Sequence, residues 1–218
     1  MSIVVRTLSE QVFEIVRERI VAGSIRPEAP IRQDALAAEL GVSKIPLREA
    51  LARLEHEGLI QGQANRGYSV RPLSAEQADE IYALRHAIEP AAAAAGASGA
   101  DAAARALAAA ALTALEEAHD TTAGDIAVRH RQFHLALVRP AGRPLTIGLV
   151  ERLAMLAERY VLAHMEPEGR YARAHREHRD LLDAWSAGDA AAVERAMIQH
   201  LASTRSDLQA QLRDQRSR

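Results

Sequence analysis

The sequence predicts a mainly α-helical protein in two parts. Residues 1–73 read as three helices followed by two short strands, and residues 74–218 as an all-helical bundle of about six helices. Three observations predict this. Apolar residues recur at helical spacing along most of the chain. The one stretch that reads as strands is LIQGQANRGYSV, folded around a turn at Asn65, Arg66 and Gly67. The pattern then breaks at Pro72-Leu73, and SAEQ at 74–77 starts a newly capped helix, which places a domain boundary there.

The elements follow in order. TLSE is a capping box, with Thr7 as N-cap and Glu10 three residues on. Val12, Ile15, Val16 and Ile20 continue the first helix, and Gly23 can close it in a left-handed cap. After a loop with Pro27 and Pro30, RQDALAAELG reads as a short helix closed by Gly41. Ser43 can cap a third helix, KIPLREALARLEHEG, where Pro46 fits the first turn and Leu47, Leu51 and Leu54 mark the buried stripe. Beyond residue 74, breaks fall near Gly96–Gly99, Thr121–Gly124, Pro140–Pro144, Pro167–Gly169 and Gly188–Asp189. Aromatic residues are only 3% of the chain, so this part must pack through Leu, Ala, Val and Ile, with Trp185 its one tryptophan.

Composition narrows the function. Hydrophobic residues make up 48%, as in a globular protein, and no apolar run reaches the roughly 18–20 residues of a membrane span. MSIVVRTLSE lacks the charged start, apolar core and cleavage site of a signal peptide, so a cytoplasmic protein with no membrane partner is expected. There is no cysteine, which excludes disulfides, thiolate zinc fingers and cysteine nucleophiles. A metal site must rest on His, Asp and Glu, with 9 histidines available. The net charge of −2 argues against a protein that coats nucleic acid everywhere, but leaves room for a local basic face.

Helix, short helix, tight turn, third helix and wing form the order of a winged helix-turn-helix. The third helix opens with Ser43, Lys44 and Arg48. Its N-terminal amides and the Ser43 hydroxyl can meet phosphate oxygens, while Lys44 and Arg48 reach base edges or phosphates in the major groove. Arg66 at the wing tip can enter the minor groove beside Gly67, whose missing side chain permits close approach. On these residues GVSKIPLREALARLEHEGLI resembles the signature of the GntR family of bacterial transcription regulators, and the match runs over nearly all of residues 8–71. Lys44 stands where that family usually has arginine. Lysine lacks the planar fork that reads guanine bidentately, so phosphate attraction survives better than base discrimination.

HRQFHLAL, at 130–137, puts His130 and His134 one helical turn apart on one face. Phe133 and Leu137 flank them, which aims the pair inward or into a cleft. His178 and His200 sit near apolar stripes on later helices, so imidazoles from three helices could converge inside the bundle. Spacing alone leaves a hydrogen-bonded core pair as an open alternative, and His175 competes with His178 for the inward position.

The second part is similar to the FCD ligand-binding domain that follows the winged helix in one GntR subfamily. FHLAL, EHRDLLDAWSAGD and MIQHL match its three histidine segments, so the resemblance implies His134, His178 and His200 as ligands of a divalent transition metal. His130 stands at the family's aspartate. Imidazoles suit zinc first, with nickel or iron as alternatives, and disfavour magnesium. Four neutral imidazoles leave a dication uncompensated, which favours an anionic ligand. The resemblance further implies a homodimer on double-stranded operator DNA, most commonly a repressor, that responds to a small carboxylic acid effector. Arg85 matches a recurrent arginine that pairs with that carboxylate; the alternative is an exposed arginine bridged to Glu89. Two other readings stay open: a metal-dependent enzyme on the histidine cluster, and a constitutive DNA-binding dimer with neither metal nor effector.

Overall fold

In the computed structural model, which describes residues 7–63, 67–165 and 169–216, the chain divides into two compact units, Met1–Leu73 and Ser74–Arg218. The first is built on α1 (Leu8–Val21), α2 (Gln33–Leu40) and α3 (Lys44–His56), with strands β1 (Pro30–Ile31), β2 (Ile60–Gln63) and β3 (Gly67–Val70). The capping box forms as the sequence dictates: the Glu10 N–H donates to the Thr7 hydroxyl, and the Thr7 N–H to the Glu10 carboxylate. Gly41 ends α2 at φ 65°, a left-handed conformation that costs glycine nothing. Val12, Val16, Ile20, Leu47, Leu51 and Leu54 bury where α1 crosses α3.

The sheet is larger than the two-stranded wing expected from the sequence. Among the described residues it has three strands in the order β1-β3-β2, because Pro30 pairs with Ser69 and Ile31 with Tyr68. A two-residue strand holding a proline is too short to show an alternating pattern. Its pairing ties the loop after α1 to the wing.

Among its described residues the second unit has six α-helices: α4 (Ala75–Gly99), α5 (Ala102–Glu116), α6 (Ala123–Val138), α7 (Pro144–Met165), α8 (Arg170–Ser186) and α9 (Ala190–Arg216). None of its described residues is in a strand. Serine, aspartate or threonine caps four of these helices: Ser74 accepts from the Gln77 N–H, Asp101 from Ala104, Thr122 from Asp125 and Asp189 from Ala192. The alanine tract splits between α4 and α5, where small side chains let helices approach closely. Gly96 marks the tightest point. A Cβ there would sit 2.0 Å from the Leu137 carbonyl oxygen, and the same oxygen accepts the Trp185 indole N–H at 3.0 Å. Trp185 is therefore core. It joins α8 to α6 one turn beyond His134.

Candidate metal centre and nucleic-acid interface

Four histidines converge inside the second unit. His130 and His134 come from α6, His178 from α8 and His200 from α9, and all four are buried. Each offers a ring nitrogen, and these atoms lie within 4.8 Å of one another. The Nε2 atoms of His178 and His200 are 3.3 Å apart. That is about the spacing of two ligand atoms around a tetrahedral ion with bonds of about 2.0–2.1 Å. The helical offset of four residues stacks His130 over His134, ring centroids 4.5 Å apart. His178, not His175, takes the inward position. His175 turns aside toward Glu116, at 3.8 Å.

Two carboxylates stand behind this cluster, and the sequence reading gave neither a role at the centre. Glu177 Oε2 faces His200 Nδ1 at 2.8 Å. Glu89 Oε2 lies 3.3 Å from His134 Nδ1, off the hydrogen-bonding line in this rotamer. Arg85 was expected either to pair with an effector carboxylate or to be exposed and bridged to Glu89. The bridge to Glu89 is present, through Nε at 2.5 Å and Nη2 at 3.1 Å, but it is buried, with Arg85 1% exposed and Glu89 fully buried.

Burial dominates the electrostatics. It pushes the Glu89 carboxyl up, but Arg85 and His134 outweigh it and hold the group at about 2. Burial pulls His134 down to about 4, with Glu89 only partly opposing. It also drives His130 and His178 well below the ordinary imidazole range, helped by the neighbouring imidazoles. These three rings are therefore neutral at pH 7, as metal ligands must be. Both nitrogens of His134 and Nδ1 of His178 lack hydrogen-bond partners, although buried polar atoms normally have one. Converging neutral imidazoles with unpartnered lone pairs fit a transition-metal ion, and the all-nitrogen set fits zinc, nickel or iron better than magnesium.

The candidate nucleic-acid face lies on the first unit. Ser43 sits at the N-cap of α3 with extended backbone, and its side chain makes no cap hydrogen bond. Lys44 and Arg48 are exposed and line one shallow surface depression with Arg32, Gln33 and Asp34. Lys44 Nζ is 2.7 Å from Asp34 of α2, a pairing that motif reading did not anticipate. Gly67 opens β3 at φ 77°, beside the Gln33 side chain. Arg66 lies outside the described residues.

Comparisons with known proteins agree with both halves. The model of the family described as "Bacterial regulatory proteins, gntR family" matches residues 8–70, and that of the "FCD domain" matches residues 80–203. The chain is 30% identical over 202 residues to the HTH-type transcriptional repressor GlaR of Escherichia coli, covering 87% of this chain and 90% of that protein. It is 28% identical over 195 residues to the repressor RspR of the same organism, covering 89% and 86%. Among solved structures, E. coli McbR/YncC superposes with a TM-score of 0.81 at 22% identity, over 95% of this chain and 100% of that one, a likeness of fold.

Proposed function

This chain belongs to the gntR family of bacterial regulatory proteins and carries an FCD domain, and from that premise we propose that it is a cytoplasmic, homodimeric repressor that releases operator DNA when a small carboxylic acid reaches its histidine centre. Members of this family are DNA-binding transcription regulators, and the relatives matched here are regulators rather than enzymes.

In the proposed complex, α3 enters the major groove. The Ser43 hydroxyl and the first amides of α3 meet phosphate, and Lys44 and Arg48 meet base edges or phosphate. Arg66 and Gly67 bring the wing to the minor groove. A two-fold dimer sets two such units on successive half-sites.

The sensing half rests on one observation, the convergence of four buried imidazoles, two of which, His134 and His178, carry unpartnered nitrogens. His130, His134, His178 and His200 would hold the ion, zinc first among the candidates. Bound among four neutral ligands, such a dication supplies a Lewis-acidic centre and an uncompensated positive charge. These histidines, rather than Arg85, mark where the acid's carboxylate is placed, because the Arg85 guanidinium already holds Glu89.

Elemental analysis of untagged protein, purified without chelator, tests the sensing half. The expected result is about one zinc, nickel or iron per chain, lost in His134→Ala. No metal after zinc is added back would end the metal reading. Anisotropy titrations with the protein's own upstream DNA test the other half. Binding should weaken steeply with salt and with an active acid, and salt-independent binding would count against a phosphate-reading interface.

A further inference from the structure

The two carboxylates behind the histidines share one sequence pattern, a tight bidentate pair at Glu89 and a looser ion pair at Glu177. On α4, Arg85 and Glu89 are four residues apart, and Glu89 faces Nδ1 of His134 on α6. On α8, Arg173 and Glu177 are four residues apart, and Glu177 faces Nδ1 of His200 on α9. Each pair is an Arg-x-x-x-Glu step along one helix, the spacing at which side chains meet. In each, the arginine pairs with the carboxylate and an imidazole from another helix approaches it: Arg85 holds both oxygens of Glu89 and shares Oε2 with His134, whereas Arg173 and His200 take different oxygens of Glu177. Arg173 Nε lies 3.4 Å from Glu177 Oε1, and Glu177 Oε2 is turned to His200. Arg173 is itself braced by Asp207 of α9.

We propose that these two Arg-x-x-x-Glu pairs act as clamps in the outer shell of the metal centre: Glu177 fixes His200 as its Nδ1–H tautomer, Glu89 does the same for His134 after a small turn of the ring onto the hydrogen-bonding line, and both Nε2 lone pairs then point at a common ion. The proposal rests on the reading of the cluster as a metal site. A carboxylate can only accept, so the nitrogen that faces it must carry the proton, and a neutral ring then has its lone pair on the other nitrogen. For His200 that other nitrogen is Nε2, which lies 3.3 Å from His178 Nε2 at the centre of the cluster. Such carboxylate–imidazole pairs orient ligands and raise their basicity. The clamp also gives Arg85 a role other than effector capture. It is a positioning residue that keeps Glu89 ionised and aimed. The dipeptide Glu177-His178 then serves the site twice, with His178 as ligand and Glu177 as the support of a ligand on the next helix.

Glu177 is the residue to test, because it is only part-buried, whereas removing Glu89 strands a buried guanidinium. Apo full-length protein is titrated with zinc against a chromophoric chelator, and its histidine tautomers are read by long-range proton–nitrogen NMR. In Glu177→Ala, zinc affinity should fall by about 10- to 100-fold, with the stoichiometry unchanged and the apo protein still folded. Glu177→Asp should recover part of the loss. The Nδ1–H signal of His200 should be present in the unsubstituted apo protein and lost in Glu177→Ala. If that protein binds zinc and Glu177→Ala binds it equally well with the tautomer unchanged, the clamp is overturned and the metal reading stands. If the unsubstituted protein binds no zinc, both fall.

Discussion

The two units carry their candidate site charges in opposite surroundings. In the winged unit the Lys44–Asp34 pair has side chains 59% and 79% exposed. In the helical unit the Arg85–Glu89 pair is 1% and 0% exposed and touches a histidine of the cluster. Water screens the first pair, so it contributes little to folding and can exchange partners when a phosphate arrives. The second pair has left water altogether, and each partner is tolerable only because the other is present. A DNA-reading face can therefore vary without cost to the fold. A buried sensing site cannot, and changes there should alter stability and binding together.

The largest test of this contrast removes one buried partner. Glu89→Gln should destabilise the helical unit by about 3–5 kcal/mol, read by urea unfolding, because Arg85 keeps its charge without a counter-ion. Replacing both, as Arg85→Met with Glu89→Leu, should return most of that stability while weakening metal binding. Equal losses in the single and double variants would show that packing rather than charge governs the site.

Acid is the next largest perturbation, in metal-free protein. His134 sits at about 4 when folded against an ordinary 6.5. A depressed imidazole stabilises the fold fully above its unfolded value, and that stability drains away as pH falls from 6.5 toward 4. Its share is about 3 kcal/mol, and His130 and His178 act in the same direction. Glu89, at about 2 against 4.5, adds its loss only below pH 4.5. The winged unit has a single histidine, His56, and no histidine cluster among its described residues. Between pH 6.5 and 4 the helical unit should therefore lose stability first, seen as early loss of Trp185 fluorescence while wing amides stay protected. Simultaneous loss would mean that the units unfold as one.

What the sequence made legible follows the same division. Local patterns on one element were readable: the Thr7 capping box, the Leu47–Leu51–Leu54 stripe, the Gly41 stop, and the shared face of His130 and His134. Contacts between elements were not, apart from the meeting of the histidines, which the family resemblance implied. Glu177 is inconspicuous in the sequence because neighbouring helix positions face different ways, and its turning away from His178 is what brings it to His200 on α9. Glu89 entered only as a surface partner for Arg85, because i,i+4 spacing says that two side chains meet and nothing about burial. Both clamps did leave a trace as Arg-x-x-x-Glu steps, at RHAIE and RAHRE. That pattern is common on exposed helices, and only the histidines packed against it make it informative. β1 was invisible for a different reason, since two residues carry no period.

On the exposed side the effects are smaller and confined to DNA. Arg48→Ala should weaken operator binding and lower the slope of log affinity against log salt by about one, with an unchanged melting curve, if Arg48 contacts phosphate. An unchanged slope with altered sequence preference would place it on a base edge instead.

Asp34→Ala is the finest probe, because it alters Lys44 without touching it. In the free protein Asp34 holds the ammonium at 2.7 Å and partly cancels its charge. Lys44 itself holds the Asp34 carboxyl below its ordinary range. A phosphate that recruits Lys44 must compete with this carboxylate, and the carboxylate then stays behind as a like charge near the DNA backbone. Removing it should strengthen binding to any duplex, steepen the salt dependence and narrow the gap between operator and random DNA, all with no change in folding. If Asp34 instead accepts a hydrogen bond from a cytosine amino group, Asp34→Ala should weaken operator binding alone. The sign of the change on random DNA separates the two, and decides whether the exposed pair is a brake on Lys44 or a reader of sequence.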